Sequence, residues 1–300
     1  MRAAWLLIGA LTLAGCSSSP AAPEAADGTG LSVLTTTTIL GSVVGDIVTC
    51  AGGTASTLIP AGADPHDFAP SSEQLAAVVK ADVVIANGLG LEGGLADALT
   101  SAKADGATVF EVGPLVQPRD FPGTTTPDPH FWFDMSRMAT AAELIGDELA
   151  SKGGEQYRTC AATEAERIRT AQVGVASTLA SVPAARRVLV TDHDAFGYLA
   201  DAYGYRIAGA IIPSGTTLAA PSSSDLAALA KVIADTKVDA IFANSNSPQV
   251  LADAVASEVG YPVTVVDLYV DSLGEPGSGA DTYIGYLQTD ASRIAKALAG

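Results

Sequence analysis

Glu155–Ala180 contains neither proline nor a strand-like run, and it interrupts an otherwise regular alternation of short β-branched segments and longer helical patterns. The stretch reads as one helix of about 25 residues, some 37 Å long at 1.5 Å per residue. Pro183 closes it. Upstream, strands are predicted at Ser32–Thr37, Ala55–Ile59, Val83–Asn87 and Thr108–Val112. Helices fall between them, one opening at Ser71 with Gln74 at capping-box spacing, and a further helix covers Arg137–Ser151. Downstream, strands Arg187–Thr191, Arg206–Ile211, Ala240–Ala243 and Val263–Leu268 alternate with helices in the same way. Such alternation builds βαβ units and parallel sheets. The expected fold is α/β: two lobes with parallel sheets flanked by helices, joined by one long rigid backbone helix. With 48% hydrophobic and 16% charged residues, a chain of 300 has ample material for such a core. The expected division is an N-terminal lobe at 31–152, the linking helix at 153–183 and a C-terminal lobe at 184–300.

The first residues stand apart from this pattern. Met1 and Arg2 form a short basic start, and Ala3–Leu13 is an apolar run too short to span a bilayer. It ends in Leu13-Ala14-Gly15-Cys16, small residues before a cysteine, as in a bacterial lipobox. Residues 1–15 therefore read as a lipoprotein signal peptide and Cys16 as the lipidated N-terminus. An ordinary secretory signal with a chance cysteine is the other reading. Residues 16–30, rich in Ser, Ala, Pro and Gly, read as a flexible tether. Export to an oxidising compartment makes a disulfide between Cys50 and Cys160 plausible. Two separate buried thiols is the alternative, because spacing alone does not set a Cα–Cα distance. The formal net charge of −17 argues against nucleic-acid partners, since phosphate backbones would repel the chain.

Only three histidines occur: His66, His130 and His193. Two of them share a tripeptide, Asp64-Pro65-His66 and Asp128-Pro129-His130. At this composition Asp-Pro precedes a given residue about once in 250 positions. Proline fixes its own φ and keeps the preceding residue extended, so each histidine is aimed from a stiff turn. His193 lies just past the predicted strand Arg187–Thr191, and His66 follows Ala55–Ile59. The carboxyl ends of parallel strands are where open α/β sheets bind ligands. A fourth donor is expected from the corresponding edge of the second lobe, where Tyr269–Gly274 follows the last predicted strand. Asp64, Asp128, Asp192 and Asp194 flank the histidines as candidate acceptors that orient the imidazoles. Phe131-Trp132-Phe133 is expected to pack in the core, shielding the site.

Four motifs together are similar to a known family. Gly62–Pro70, Asp128–Asp134, His193–Tyr198 and Tyr269–Leu273 resemble, in order and spacing, the zinc/manganese solute-binding lipoproteins of ABC importers, cluster A-I. The resemblance runs from about residue 31 to the end of the chain. It implies two α/β lobes on a rigid helix, with one metal ion per chain held in the cleft by His66, His130, His193 and Asp271. It also implies an extracytoplasmic, lipid-anchored protein that acts as a monomer beside a membrane permease and its ATPase. Zinc members often carry a long histidine-rich loop before the second histidine; Leu115–Pro127 is short and has none. Manganese members usually place a carboxylate at the third position, where this chain has His193.

Three imidazoles and one carboxylate suit Zn2+ better than the oxygen-preferring Mn2+, which stays as the alternative. Two other classes fit the histidines less well. A secreted zinc hydrolase would use three ligands and an open position, but neither a His-Glu-x-x-His helix nor a Gly-x-Ser-x-Gly elbow is present. A metal-binding adhesin would need no transporter. No enzyme activity is expected.

Overall fold

A computed structural model describes Met1, residues 30–245 and residues 249–299. Apart from Met1 and Gly30, the expected signal peptide 1–15 and tether 16–30, Cys16 included, lie outside the described residues. No helix among the described residues is long and apolar enough to cross a membrane.

The first sheet contains β1 (Ser32–Thr35), β2 (Thr54–Thr57), β3 (Val83–Ala86) and β4 (Val109–Glu111), all parallel, in the order β2-β1-β3-β4. Helices α1 (Thr38–Cys50), α2 (Ser72–Lys80) and α3 (Ala96–Ala104) connect these strands. The second sheet repeats the plan with β5 (Val188–His193), β6 (Arg206–Ile212), β7 (Ala240–Asn244) and β8 (Thr264–Leu268), ordered β6-β5-β7-β8. Between the sheets run α4 (Met135–Gly153) and α5 (Gln156–Ala180). Helices α6 (Gly197–Tyr203), α7 (Ser223–Thr236), α8 (Val250–Glu258) and α9 (Tyr283–Ala299) complete the described residues.

Local sequence explains the element starts. Thr37 caps α1 by accepting from the Leu40 amide, and Asp134 caps α4 through the Ser136 amide. The expected capping box is formed: Ser71 accepts from Gln74 N, and Gln74 returns to Ser71 N. One expectation fails. The apolar run puts His193 past its strand, but it is the last residue of β5, paired in register with Ile212 of β6. The ladder to β6 carries the strand two residues beyond the apolar run.

The long helix does more than connect. Its apolar stripe of Tyr157, Ala161, Ala165, Ile168, Val175 and Leu179 is buried, and it packs against α1, α4 and α9. Gly146 on α4 leaves room for α5, for a Cβ there would lie 2.2 Å from that of Ala161. The main apolar core is continuous across both lobes, taking in α1, α4, α5 and α9 as well as Phe131, Trp132 and Phe133. Cys50 at the end of α1 is bridged to Cys160 in α5, Cα to Cα 5.9 Å. Both sheets thus stand on one packed helical base, with their carboxyl edges brought towards each other.

Candidate metal centre

In each sheet the strand order reverses direction at the first strand, between β1 and β3 and between β5 and β7. Such switch points open a crevice at the carboxyl edge, and all three histidines converge there.

The two Asp-Pro-His turns are built alike. Asp64 Oδ1 accepts from the His66 amide at 2.9 Å, and Asp128 Oδ1 accepts from the His130 amide at 3.0 Å. The proline between them has no N–H to compete, so the aspartate side chain closes a tight local turn beneath each imidazole. Asp128 Oδ1 also accepts from His130 Nδ1 at 2.8 Å, while its Oδ2 meets Arg119 Nη1 at 3.2 Å. Asp64 Oδ2 accepts from Thr217 of the other lobe. His193, held at the end of β5, donates from Nδ1 to Asp192 Oδ2 at 3.0 Å.

Asp271 lies three residues beyond β8. Trp132 Nε1 and Tyr286 Oη both donate to Val270 O, and the Gly62 amide donates to Ser272 Oγ at 2.9 Å. These contacts pin the loop on either side of the carboxylate. Asn244, the last residue of β7, donates from Nδ2 to Asp271 Oδ2 at 3.1 Å.

The outcome is a buried cluster of four. His66, His130, His193 and Asp271 are 3%, 0%, 0% and 4% exposed, and each brings one donor atom within 4.8 Å of the others. His130 Nε2 and His193 Nε2 are 3.3 Å apart, and Asp271 Oδ1 stands 3.8 and 3.7 Å from them. With both Nδ1 atoms committed to carboxylates, both Nε2 atoms are turned towards the same point, and a proton on His193 Nε2 bridges them in the metal-free site. His66 Nε2 and Asp271 Oδ1 are buried with no hydrogen-bond partner among the described residues. Four donor atoms facing one point are held together by positive charge between them, a proton or a metal ion. Zinc at about 2.0–2.1 Å from each ligand sets neighbouring tetrahedral donors about 3.3–3.4 Å apart, the spacing of the two Nε2 atoms.

The electrostatics are those of a site needing positive charge. Burial, then His130 and His193, push His66 down to about 2, so it stays neutral. His193 is raised to about 9: burial opposes its charge, but Asp271 and Asp192 outweigh that. Burial raises Asp271 to about 6 despite the neighbouring histidines. A proton on His193 therefore takes part of the role a metal would fill.

Of the four flanking aspartates, Asp128 and Asp192 bind histidine rings and Asp64 binds a histidine amide and Thr217. Asp194 differs: its amide donates to Ser214 O, and its half-buried carboxyl is pushed up by burial and then by Asp128. Phe131, Trp132 and Phe133 are buried, with the Trp132 ring 5.2 Å from that of His130. Sequence reasoning missed Arg119, Thr217 and Asn244. Only Asn244 carried a signal, a polar residue where an apolar strand ends at the ligand-binding edge.

A family model described as "Zinc-uptake complex component A periplasmic" matches residues 33–297. The manganese-binding lipoprotein MntA of Halalkalibacterium halodurans is 30% identical over 209 residues, 68% of each chain. The zinc-binding protein TroA of Treponema pallidum is 30% identical over 208 residues, 67% of this chain and 66% of that one. The solved structure of periplasmic zinc binding protein TroA from T. pallidum superposes with a TM-score of 0.84 at 27% identity, covering 90% of this chain and 100% of that one. A Mn-bound periplasmic metal binding protein from Candidatus Liberibacter asiaticus gives 0.79 at 25% identity, covering 89% and 99%.

Proposed function

This chain belongs to the zinc-uptake complex component A family, and on that premise we propose that it captures one divalent transition-metal ion per chain outside the cytoplasm. It passes the ion to the permease and ATPase of an ABC importer. One observation carries the reading: four buried donors from both lobes face one point, and His66 Nε2 and Asp271 Oδ1 have no other partner.

In this proposal His66, His130, His193 and Asp271 are the ligands. Asp128 and Asp192 hold two of the rings with Nε2 forward. Zinc is the favoured cargo, because three nitrogens and one oxygen match its tetrahedral habit. Manganese is the second reading, and the manganese-binding name of the Halalkalibacterium relative supports keeping it. The site works by holding the ion, not by turnover: four protein donors complete a zinc coordination sphere and leave no position for an activated water. The chain divides functionally into lobes at 31–152 and 184–300 about the helix at 153–183. Residues 1–15 direct export, Cys16 takes the lipid anchor and the mature protein acts as a monomer at the membrane surface.

Competition titration of the metal-free protein with zinc and manganese tests the reading. One zinc per chain, bound more tightly than manganese, is the expected outcome. Tighter manganese binding would move the assignment to the second reading, and a chain that binds neither would sink both.

A further inference from the structure

The four ligands of the proposed site are at most 4% exposed, so an ion reaches them only if part of the wall moves. Three of the four are fixed. His130 and His193 each hold an aspartate through Nδ1, and Asp271 is flanked by the contacts of Val270 and Ser272. His66 is different. Neither nitrogen of its ring has a hydrogen-bond partner among the described residues, and its turn belongs to a loop, 60–70, without helix or strand. The first lobe backs this loop by packing: a Cβ on Gly93 would lie 2.8 Å from His66 O, and one on Gly94 2.2 Å from Phe68 O. Among the described residues the loop has only two hydrogen bonds outside itself. The Gly62 amide donates to Ser272 Oγ, and Asp64 Oδ2 accepts from Thr217 Oγ1. Both partners belong to the second lobe. Space lies on either side of the second contact: His66 and Thr216 line a cavity of 470 Å3, and Asp64 and Thr217 line another of 380 Å3.

We propose that Thr217 is a positioning residue for the metal: through Asp64 it latches the His66 turn to the second lobe, and opening this latch is a step in both loading and release. The proposal rests on the metal-capture reading above and goes beyond it by naming the ligand that moves and what restrains it. Asp64 joins the two events, because its Oδ1 accepts from the His66 amide and its Oδ2 from Thr217. Parting the turn from the second lobe therefore carries the His66 imidazole with it, while the other three donors stay on their supports. Asp64 and Thr217 are half-buried, so water takes over the broken hydrogen bond while the turn is displaced. The route in is the reverse of the route out, so the latch contributes to the barrier in both directions.

The test follows zinc uptake and zinc release by the full-length protein in stopped flow, against a chromophoric chelator. Thr217→Val keeps the shape of the side chain without the donor, and Thr217→Ser keeps the donor. The valine variant should load and release zinc about tenfold faster than the wild type, the scale of one hydrogen bond to a charged acceptor. Its Kd should change far less than either rate, and the serine variant should keep wild-type rates. A merely structural role would speed release alone and weaken binding to match. That result, unchanged rates in a folded valine variant, or a serine variant as fast as the valine one overturns the latch. A second measurement needs no variant. The His66 and His130 amides each donate to an aspartate two residues earlier, at 2.9 and 3.0 Å, so hydrogen exchange in the zinc-loaded wild type compares the two turns directly. The His66 amide should exchange faster; equal or slower exchange overturns the proposal even if the valine variant does not fold. A wild type that binds no zinc removes the capture reading itself. Zinc binding by the wild type together with any of the overturning results removes only the latch.

Discussion

His130 and His193 share one arrangement: an aspartate on Nδ1 and Nε2 turned inward. Asp128→Asn replaces the carboxylate that orients His130, and zinc affinity should drop by about 10–100-fold, measured by competition with a chelator of known strength. Asp194→Asn is the matched control and should bind like the wild type, because the Asp194 carboxylate holds no ring. Asp271→Ala should cost more than Asp128→Asn, since it removes a donor rather than its support. Protons compete with the metal in a defined direction. His193 keeps its proton up to about pH 9 in the metal-free site, so zinc binding near neutrality must expel it. Affinity should therefore fall about tenfold per unit as pH drops below 9, and more steeply below about 6, where Asp271 also takes up a proton. His66, depressed to about 2, adds nothing to that slope. Calorimetry in buffers of different ionisation enthalpy should count close to one proton released at pH 7. Release of none would contradict the charge assignment at His193.

At the scale of elements, the long helix matters for what it grips. Cys50 and Cys160 are 110 residues apart in sequence, and their bridge ties α1 of the first lobe to α5. Closing so long a loop restricts the unfolded chain, so Cys50→Ser combined with Cys160→Ser should lose about 2–5 kcal/mol in denaturant unfolding. Reduced wild type should match the double variant; an unchanged midpoint would mean that packing of α5 against α1, α4 and α9 already bears the load. Periodicity and capping residues made the helices and most strand positions legible in the sequence, because those signals are local. Ser71 with Gln74 is the clearest case. The end of β5 was not legible. Asp192 and His193 extend the strand past the predicted end at Thr191 because His193 pairs with Ile212, an adjacency that exists only in the folded sheet.

For the whole molecule, a site whose ligands come from both lobes couples metal binding to global stability. Zinc at a thousand times its Kd should add about 4 kcal/mol, which for a chain of this size raises Tm by about 6–8 °C. Differential scanning calorimetry with and without zinc checks this, and a shift confined to a minor transition would show that the lobes unfold separately. Three histidines, the doubled Asp-Pro-His and the alternation about Glu155–Ala180 were enough to establish an α/β fold and to nominate the three imidazole donors, since residue type and local turn chemistry are written along the chain, whereas Asp271 was named through the family resemblance. Which atoms meet was decided by tertiary structure alone. A 3.3 Å approach of two Nε2 atoms, an unpartnered Oδ1 and the Asn244 hydrogen bond to Oδ2 join residues 27 to 205 positions apart in sequence. Only the packing of both sheets on one helical base brings such distant edges into a single cleft.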